Sequence, residues 1–175
     1  PIHRNTAPSM AWANHRISMM NPNGCVIATP SDQAIFNEEA FRENVLKGLA
    51  FVAENDRFLT MGVKPTRPEP GYGYIQMGDV FCDNMYQVQS FTEKPERDFA
   101  KIFVESGEFY WNTGLFLSNV KHLRECFCKI LPPVLRDYDK QYPEFSIETE
   151  NAYMKESFSS YPNISVDFGI HRDIS

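Results

Sequence analysis

Cysteine and histidine are scarce in this chain, and neither is arranged for metal binding or nucleophilic catalysis. Of the four cysteines, Cys25, Cys82, Cys126 and Cys128, only the last two are close, and no histidine stands at zinc-finger spacing from them. On a helix, residues i and i+2 do not face each other, so the thiols are read as reduced and structural. His3, His15, His122 and His171 have no neighbours that would complete a Ser/His/Asp or Cys/His arrangement. No apolar run approaches the ~18–20 residues of a membrane span, and no signal-like segment opens the chain. No membrane partner is expected, and the reducing cytoplasm is the default compartment. Long Lys/Arg runs are also missing: 17 basic residues stand against 23 acidic ones, a net charge of −6. That balance excludes non-specific nucleic-acid binding as a leading function, although a few placed cations can still hold a phosphate. There is no internal repeat and no low-complexity tract.

What is present is ordinary globular material with an aromatic surplus. The 175 residues suggest about one domain. The 14 Phe, 8 Tyr and 2 Trp supply large rings for a core. Helical and strand-like segments alternate, which predicts an α/β layered domain. Helices are expected over Ser9–Met20, after the N-cap Asn37, over Asp98–Ser106 with Gly107 as its stop, after the cap Asn119 until Pro132-Pro133, and over Thr149–Phe158. Strands are expected over Cys25–Thr29, Phe58–Val63, Tyr74–Met77, Tyr86–Thr92 and Gly114–Leu117. A further one over Ile164–Ile170 alternates with period two. The first two strands, joined by a long helix, predict a parallel pair with a right-handed crossover. Gly78-Asp79 and Asp83-Asn84 read as turn material. Thr66–Tyr74 is loop chemistry, rich in Pro, Gly and Tyr.

Several residues carry chemistry at these junctions. Asp32 follows an apolar strand and precedes a helix, where open α/β sheets bind ligands and a carboxylate can hold a hard cation. A plain Asx turn is the alternative. Gly71-Tyr72-Gly73-Tyr74 lets backbone approach a ligand closely, or makes an ordinary turn. Glu93-Lys94-Pro95 puts an acid and a base at a strand end, able to meet sugar hydroxyls and a phosphate, or merely solvated. Asn112, in Trp111-Asn112-Thr113-Gly114, can donate to and accept from a hydroxyl pair, or cap a loop. Asp167 falls on the open face of the last strand. Asp137-Tyr138-Asp139 has D-x-D spacing but lies in a charged helical stretch, and is read as a solvated face.

Taken in order, Arg4–Pro8, Pro30-Ser31-Asp32, Pro68–Ile75, Phe91–Pro95, Trp111–Phe116 and Ser165–Gly169 resemble the ordered motifs of the mannose-1-phosphate guanylyltransferases, over nearly all of the chain. The resemblance implies a Rossmann-like mixed, mostly parallel sheet flanked by helices, of the sugar-nucleotidyltransferase type. It implies transfer of GMP from GTP to mannose 1-phosphate, giving GDP-mannose and pyrophosphate. By matched position, Asp32 and Asp167 resemble the Mg²⁺ ligands. Lys94 joins them in catalysis, by neutralising the sugar phosphate. Gly73, Glu93, Lys94 and Asn112 resemble the sugar-phosphate site, and Asn5 and Thr6 the loop beside the guanine. The chain departs from the pattern at Gln33, where the family commonly has His, and at Phe168, where it commonly has Tyr. The Gly-rich triphosphate signature and the C-terminal β-helix of the family do not occur among these residues. The chain is therefore expected to be most of one nucleotidyltransferase domain, with little turnover on its own. A homodimer of the full-length protein stays open. Two rival readings also stay open: a non-catalytic sugar-phosphate-binding fragment, and a metal-dependent glycosyltransferase of similar fold.

Overall fold

The computed structural model describes residues 3–140 and 147–166. The elements run α1 (Thr6–Met20), β1 (Cys25–Ala28), α2 (Glu38–Glu54), β2 (Leu59–Val63), β3 (Tyr74–Cys82) and β4 (Met85–Thr92). They continue α3 (Arg97–Ser106), β5 (Phe109–Asn119), α4 (Val120–Ile130), α5 (Pro132–Lys140) and α6 (Ile147–Ser157), with a 3₁₀ turn over Phe158–Ser160. The chain divides into two compact units that interleave in sequence. One comprises Pro1–Ile27, Asn37–Phe58 and Leu117–Ser175; the other comprises Ala28–Phe36 and Leu59–Phe116.

The α/β class is borne out. The mostly parallel sheet is not matched: β3 pairs antiparallel with both β4 and β5. The strand order is β1-β5-β3-β4, with β2 also pairing β5. The expected parallel pair of β1 and β2 therefore does not form. The long strand β5 takes up the ladder groups of both.

The first unit is helical. α1 starts earlier than expected, at Thr6, because Asn5 caps it by accepting from the Thr6 N–H at 2.9 Å. Pro8, in the first turn, has no N–H to leave unpaired there. The Ala7 N–H, another donor orphaned at the helix start, is taken by the Ile164 carbonyl at 3.1 Å. Thr6 Oγ1 accepts from the Val166 N–H at 2.9 Å. These bonds give the physical reason for a second correction. Ile164 and Ser165 are irregular backbone tied to a helix terminus rather than the start of a strand, and residues 167–170 lie outside the described residues. The core collects Ala7, Ala11, Val52, Val120, Leu123, Phe127, Leu131, Val134, Leu135 and Tyr138, all buried. Asn119 is the polar tie. Its Oδ1 caps α4 by accepting from the His122 N–H at 2.8 Å, and its Nδ2 donates to the Val52 carbonyl at 3.0 Å and to Asp56 Oδ1 at 2.9 Å.

The second unit is sheet plus α3. Tyr74, Ala100 and Phe109 form its buried cluster, and Phe103 stacks on Phe109 with centroids 4.0 Å apart. Gly107 ends α3 in the left-handed region at φ 74°, as expected of a C′ glycine. Gly78 and Asp79 are not a turn: β3 runs through them to Cys82, absorbing them as register shifts between Met77 and Val80. A side chain at Gly78 would stand 3.1 Å from the Gln87 carbonyl of β4, so glycine there serves close strand approach. The reversal is instead at Asp83-Asn84, with Asp83 at φ 45°.

Candidate active site

In the second unit, four of the proposed site residues meet where β3 begins, where β4 ends and within β5. Gly73 is buried where its loop enters β3, and a Cβ built on it would lie 2.8 Å from Glu93 Oε2 and 3.2 Å from Phe91 Cζ. The Gly73 carbonyl accepts from the Asn112 N–H at 2.8 Å. Glu93 and Lys94 are exposed where β4 ends, with Lys94 Nζ 3.5 Å from Glu93 Oε1. Such an exposed pair contributes little stability, so both charges stay available to a ligand. Asn112 is half-buried in β5, and its Oδ1 accepts from Thr60 Oγ1 at 3.1 Å and from the Gly114 N–H at 3.0 Å.

Asp32 lies in the loop Ala28–Phe36 of the same unit and is exposed. Its neighbours pin that loop to β5. Gln33 Nε2 donates to the Thr113 carbonyl at 2.6 Å, and Pro30 Cγ would be 3.2 Å from a Cβ on Gly114. Gly114 holds φ 71°, which a side-chained residue adopts only with strain. Asn5 and Thr6 belong to the first unit and are exposed at the start of α1. Val166, the residue before Asp167, bonds to Thr6, whereas Asp167 itself lies outside the described residues. Three non-glycine residues among those described have positive φ: Asn5 at 62°, Asp83 at 45° and Lys94 at 45°. Two of the three are proposed ligand-binding residues. Such strain persists only where surrounding structure imposes it, and it clusters at functional sites.

Sequence reasoning missed the aromatic wall beside these residues. The Arg67 guanidinium stands 5.5 Å from the Trp111 ring centroid, and Tyr72 meets Trp111 edge-on at 5.2 Å. Glu69 anchors the loop: it pairs with Arg67 at 3.2 Å, accepts from the Gly71 N–H at 3.2 Å, and its own N–H donates to the Tyr74 hydroxyl at 2.9 Å. The composition of Thr66–Tyr74 signalled a loop, but nothing local signalled that it folds onto Trp111. Thr60 was missed too, because within Leu59-Thr60-Met61 it reads as ordinary strand.

No group of three or more His, Cys, Asp or Glu side chains converges for a metal among the described residues. Asp32 offers an exposed carboxylate, the donor type a hard divalent cation takes. The D-x-D pair is a solvated helix face: Asp137 and Asp139 are exposed on α5, Tyr138 between them is buried, and Asp139 pairs with Arg124 at 2.6 Å.

A glycine-lined turn, an acid–base pair and an amide thus lie close together on an α/β sheet, in a class of fold that binds ligands beside its strands. The chain belongs to the Nucleotidyl transferase family, which it matches over residues 1–147. It is 33% identical over 171 residues to the xanthan biosynthesis protein XanB of Xanthomonas campestris pv. campestris, covering 97% of this chain and 36% of that protein. It is 32% identical over 179 residues to the mannose-1-phosphate guanylyltransferase of Escherichia coli, covering 97% of this chain and 37% of that one. The chain thus spans little more than a third of the length of these relatives. Among solved structures it resembles a mannose-1-phosphate geranyltransferase from Thermus thermophilus, with TM-score 0.82 and 26% identity over all of this chain and 49% of that one. A mannose-6-phosphate isomerase from Helicobacter pylori shares the fold, with TM-score 0.72 and 24% identity over 96% of this chain and 64% of that one.

Proposed function

We propose that this chain forms part of an enzyme that transfers GMP from GTP to mannose 1-phosphate, releasing pyrophosphate. The observation that carries the reading is the meeting of Gly73, Glu93, Lys94 and Asn112 in one unit of a nucleotidyl transferase fold. The relatives' names supply the hexose and the nucleotide. In the reaction, a phosphate oxygen of the sugar phosphate attacks the α-phosphorus of GTP, a P–O bond forms, and the bond to the β-phosphate oxygen breaks. The nucleophile is already an anion, so no general base is needed, and positioning with charge neutralisation does most of the work. Lys94 offsets the sugar phosphate's charge. Glu93 and Asn112 orient the hexose hydroxyls, while Gly73 lets backbone approach the sugar. Asn5 and Thr6 flank the guanine. Asp32 and Asp167 would hold Mg²⁺, which when bound neutralises phosphate oxygens.

No helix among the described residues is long and apolar enough to cross a membrane. The four cysteines are free, in keeping with our proposal of a cytoplasmic enzyme. The direct experiment measures pyrophosphate release from GTP with mannose 1-phosphate, using the 175-residue chain and the same chain extended at its N-terminus. Release by the extended protein, and little by the 175 residues alone, is expected. Binding of mannose 1-phosphate without release by either protein would support the sugar-phosphate-binding reading instead.

A further inference from the structure

Gly73 lies between two tyrosines, and both rings go to the Trp111 side of the sheet. Tyr74 pairs with Trp111 in the β3–β5 register, and Trp111 packs against the cluster of Tyr74, Ala100 and Phe109 that α3 covers. Tyr72 meets the Trp111 ring edge-on, with centroids 5.2 Å apart. Successive residues of an extended chain face opposite ways, and a Cβ at Gly73 would point instead at Glu93 and Phe91. The chain is thus gripped on one face of the sheet where it must approach a ligand on the other. The loop needs such a grip, because Gly71 and Gly73 both lose much conformational freedom when they are ordered. Glu69 ties its first half. Its carboxylate meets Arg67 at 3.2 Å and accepts from the Gly71 N–H at 3.2 Å, and its own N–H donates to the Tyr74 hydroxyl at 2.9 Å. Beyond Gly71 the backbone tie weakens to a bond of 3.4 Å from the Tyr72 N–H to the Glu69 carbonyl. Trp111 supplies the rest, with the Arg67 guanidinium 5.5 Å from its ring centroid and Tyr72 at its edge. No acceptor meets the indole N–H among the described residues, so Trp111 holds the loop through its ring. The next residue of β5 then fixes Gly73 itself, since the Asn112 N–H donates to the Gly73 carbonyl at 2.8 Å.

Resting on the sugar-phosphate reading above, we propose that Tyr72 and Trp111 are positioning residues: their ring contact, on the sheet face opposite the sugar, holds the loop over residues 66–73 so that Gly73 presents its backbone to the hexose beside Glu93 and Asn112. Neither ring touches the sugar. A loop ordered before the ligand arrives takes that entropy cost out of the binding step. Loosening the contact therefore lowers affinity while every group that meets the substrate is still present.

The test combines calorimetric titration of the protein with mannose 1-phosphate, thermal melting, and amide exchange by NMR. Tyr72→Ala should weaken mannose 1-phosphate about fivefold, the scale of one aromatic pair. Its melting temperature should barely move, because Tyr72 is 46% exposed. Tyr72→Phe keeps the ring and should bind like the unmodified protein. The Asn112 amide, which donates to Gly73, should exchange several-fold faster in Tyr72→Ala, by the measure of local opening, and return to its slow rate in Tyr72→Phe. Arg67→Met, which takes the cation off the Trp111 ring, should act in the same direction and more weakly. In a Trp111→Leu background Tyr72→Ala should cost no further affinity, since the ring it meets is gone. Should Trp111→Leu not fold, the Tyr72 and Arg67 variants decide alone. Full affinity in Tyr72→Ala overturns the proposal. So does an equal loss in Tyr72→Phe and Tyr72→Ala, which makes the hydroxyl the operative group, and so does weakened binding with Asn112 exchange unchanged. If the unmodified protein does not bind mannose 1-phosphate, the sugar-phosphate reading fails first and takes this proposal with it.

Discussion

Gly73 has no room for a side chain, and the reason lies in its neighbours rather than in its backbone, since its φ is not among the positive ones. A methyl group there meets the end of Glu93 at 2.8 Å, a flexible carboxylate that can swing aside, and the Phe91 ring at 3.2 Å. Gly73→Ala should therefore fold, lowering the melting temperature by only a few degrees, while mannose 1-phosphate affinity falls on the order of tenfold as Glu93 is displaced. Unchanged affinity by titration would remove Glu93 from the sugar site. Lys94 gives a complementary prediction. Lys94→Met should lose on the order of ten- to a hundredfold in kcat/KM for every hexose 1-phosphate, with a weaker salt dependence, since a charge-assisted contact is removed. Steady-state kinetics at two ionic strengths on both sugars checks this, and a shifted mannose-to-glucose ratio with intact salt dependence counts against it. His15 shows a different kind of residue-scale control. Burial, followed by the nearby Arg124 and Arg16 charges, holds its pKa below the ordinary imidazole value, with Asp139 opposing. The Arg124 guanidinium, 3.4 Å from His15 Nδ1, can only donate, which suits a neutral ring. The unfolded chain binds this proton more readily than the folded one, so stability is full above the ordinary value of about 6.5 and falls as pH drops through it. Thermal melts from pH 7.5 to 5 should show that fall, with a shallower slope in His15→Gln; His122, shifted the same way mainly by burial, sustains the remainder.

At the scale of elements, helix ends were the most legible features, because capping is local chemistry. Asn37, Asn119 and Gly107 were each read from sequence and each sits at its expected terminus. What sequence did not show is that Asn119 does two things. Its oxygen caps α4, while its Nδ2 ties α4 to the end of α2 and to Asp56. Asn119→Asp separates the two roles. An aspartate caps equally well, but its second oxygen would face the Val52 carbonyl and the Asp56 carboxylate, and about 2–4 kcal/mol of stability should be lost. Denaturant unfolding measures this, and a near-neutral result would mean that only the cap matters. Conversely, α3 begins at Glu96 with no side-chain cap bond, so Glu96→Ser should stabilise the protein by about 0.5–1 kcal/mol. Strand limits were less legible. Gly78-Asp79 has turn composition yet lies inside β3, since a neighbouring strand can absorb extra residues as bulges. Trp111-Asn112-Thr113 has loop composition yet lies inside β5, where the Asn112 and Thr113 side chains meet the backbone N–H groups that a regular ladder would have paired.

Over the whole molecule, the acidic balance of −6 means that an anionic substrate must be met by particular cations rather than by a general field. This makes the proposed Mg²⁺ the sharpest whole-protein test. In the extended protein, Asp32→Asn and Asp167→Asn keep size and lose charge, and each should depress kcat strongly at saturating GTP with the melting temperature nearly unchanged. Near-normal rates at saturating Mg²⁺ in either variant exclude that residue as a ligand. The sequence by itself determined the class, the helix ends at Asn37, Asn119 and Gly107, and the ordered motifs that carry the family, because each depends on a few residues close together in the chain. Tertiary structure alone decided that β1 and β2 each pair with β5 and that β5 lies antiparallel beside β3, since these ladder partners lie far apart in sequence. It also decided the surroundings of each site residue: Gly73 against Glu93 across 20 positions, and Thr60 on Asn112 across 52. No local period or composition encodes such a contact, because two side chains that far apart become neighbours only when the strands carrying them have been laid side by side.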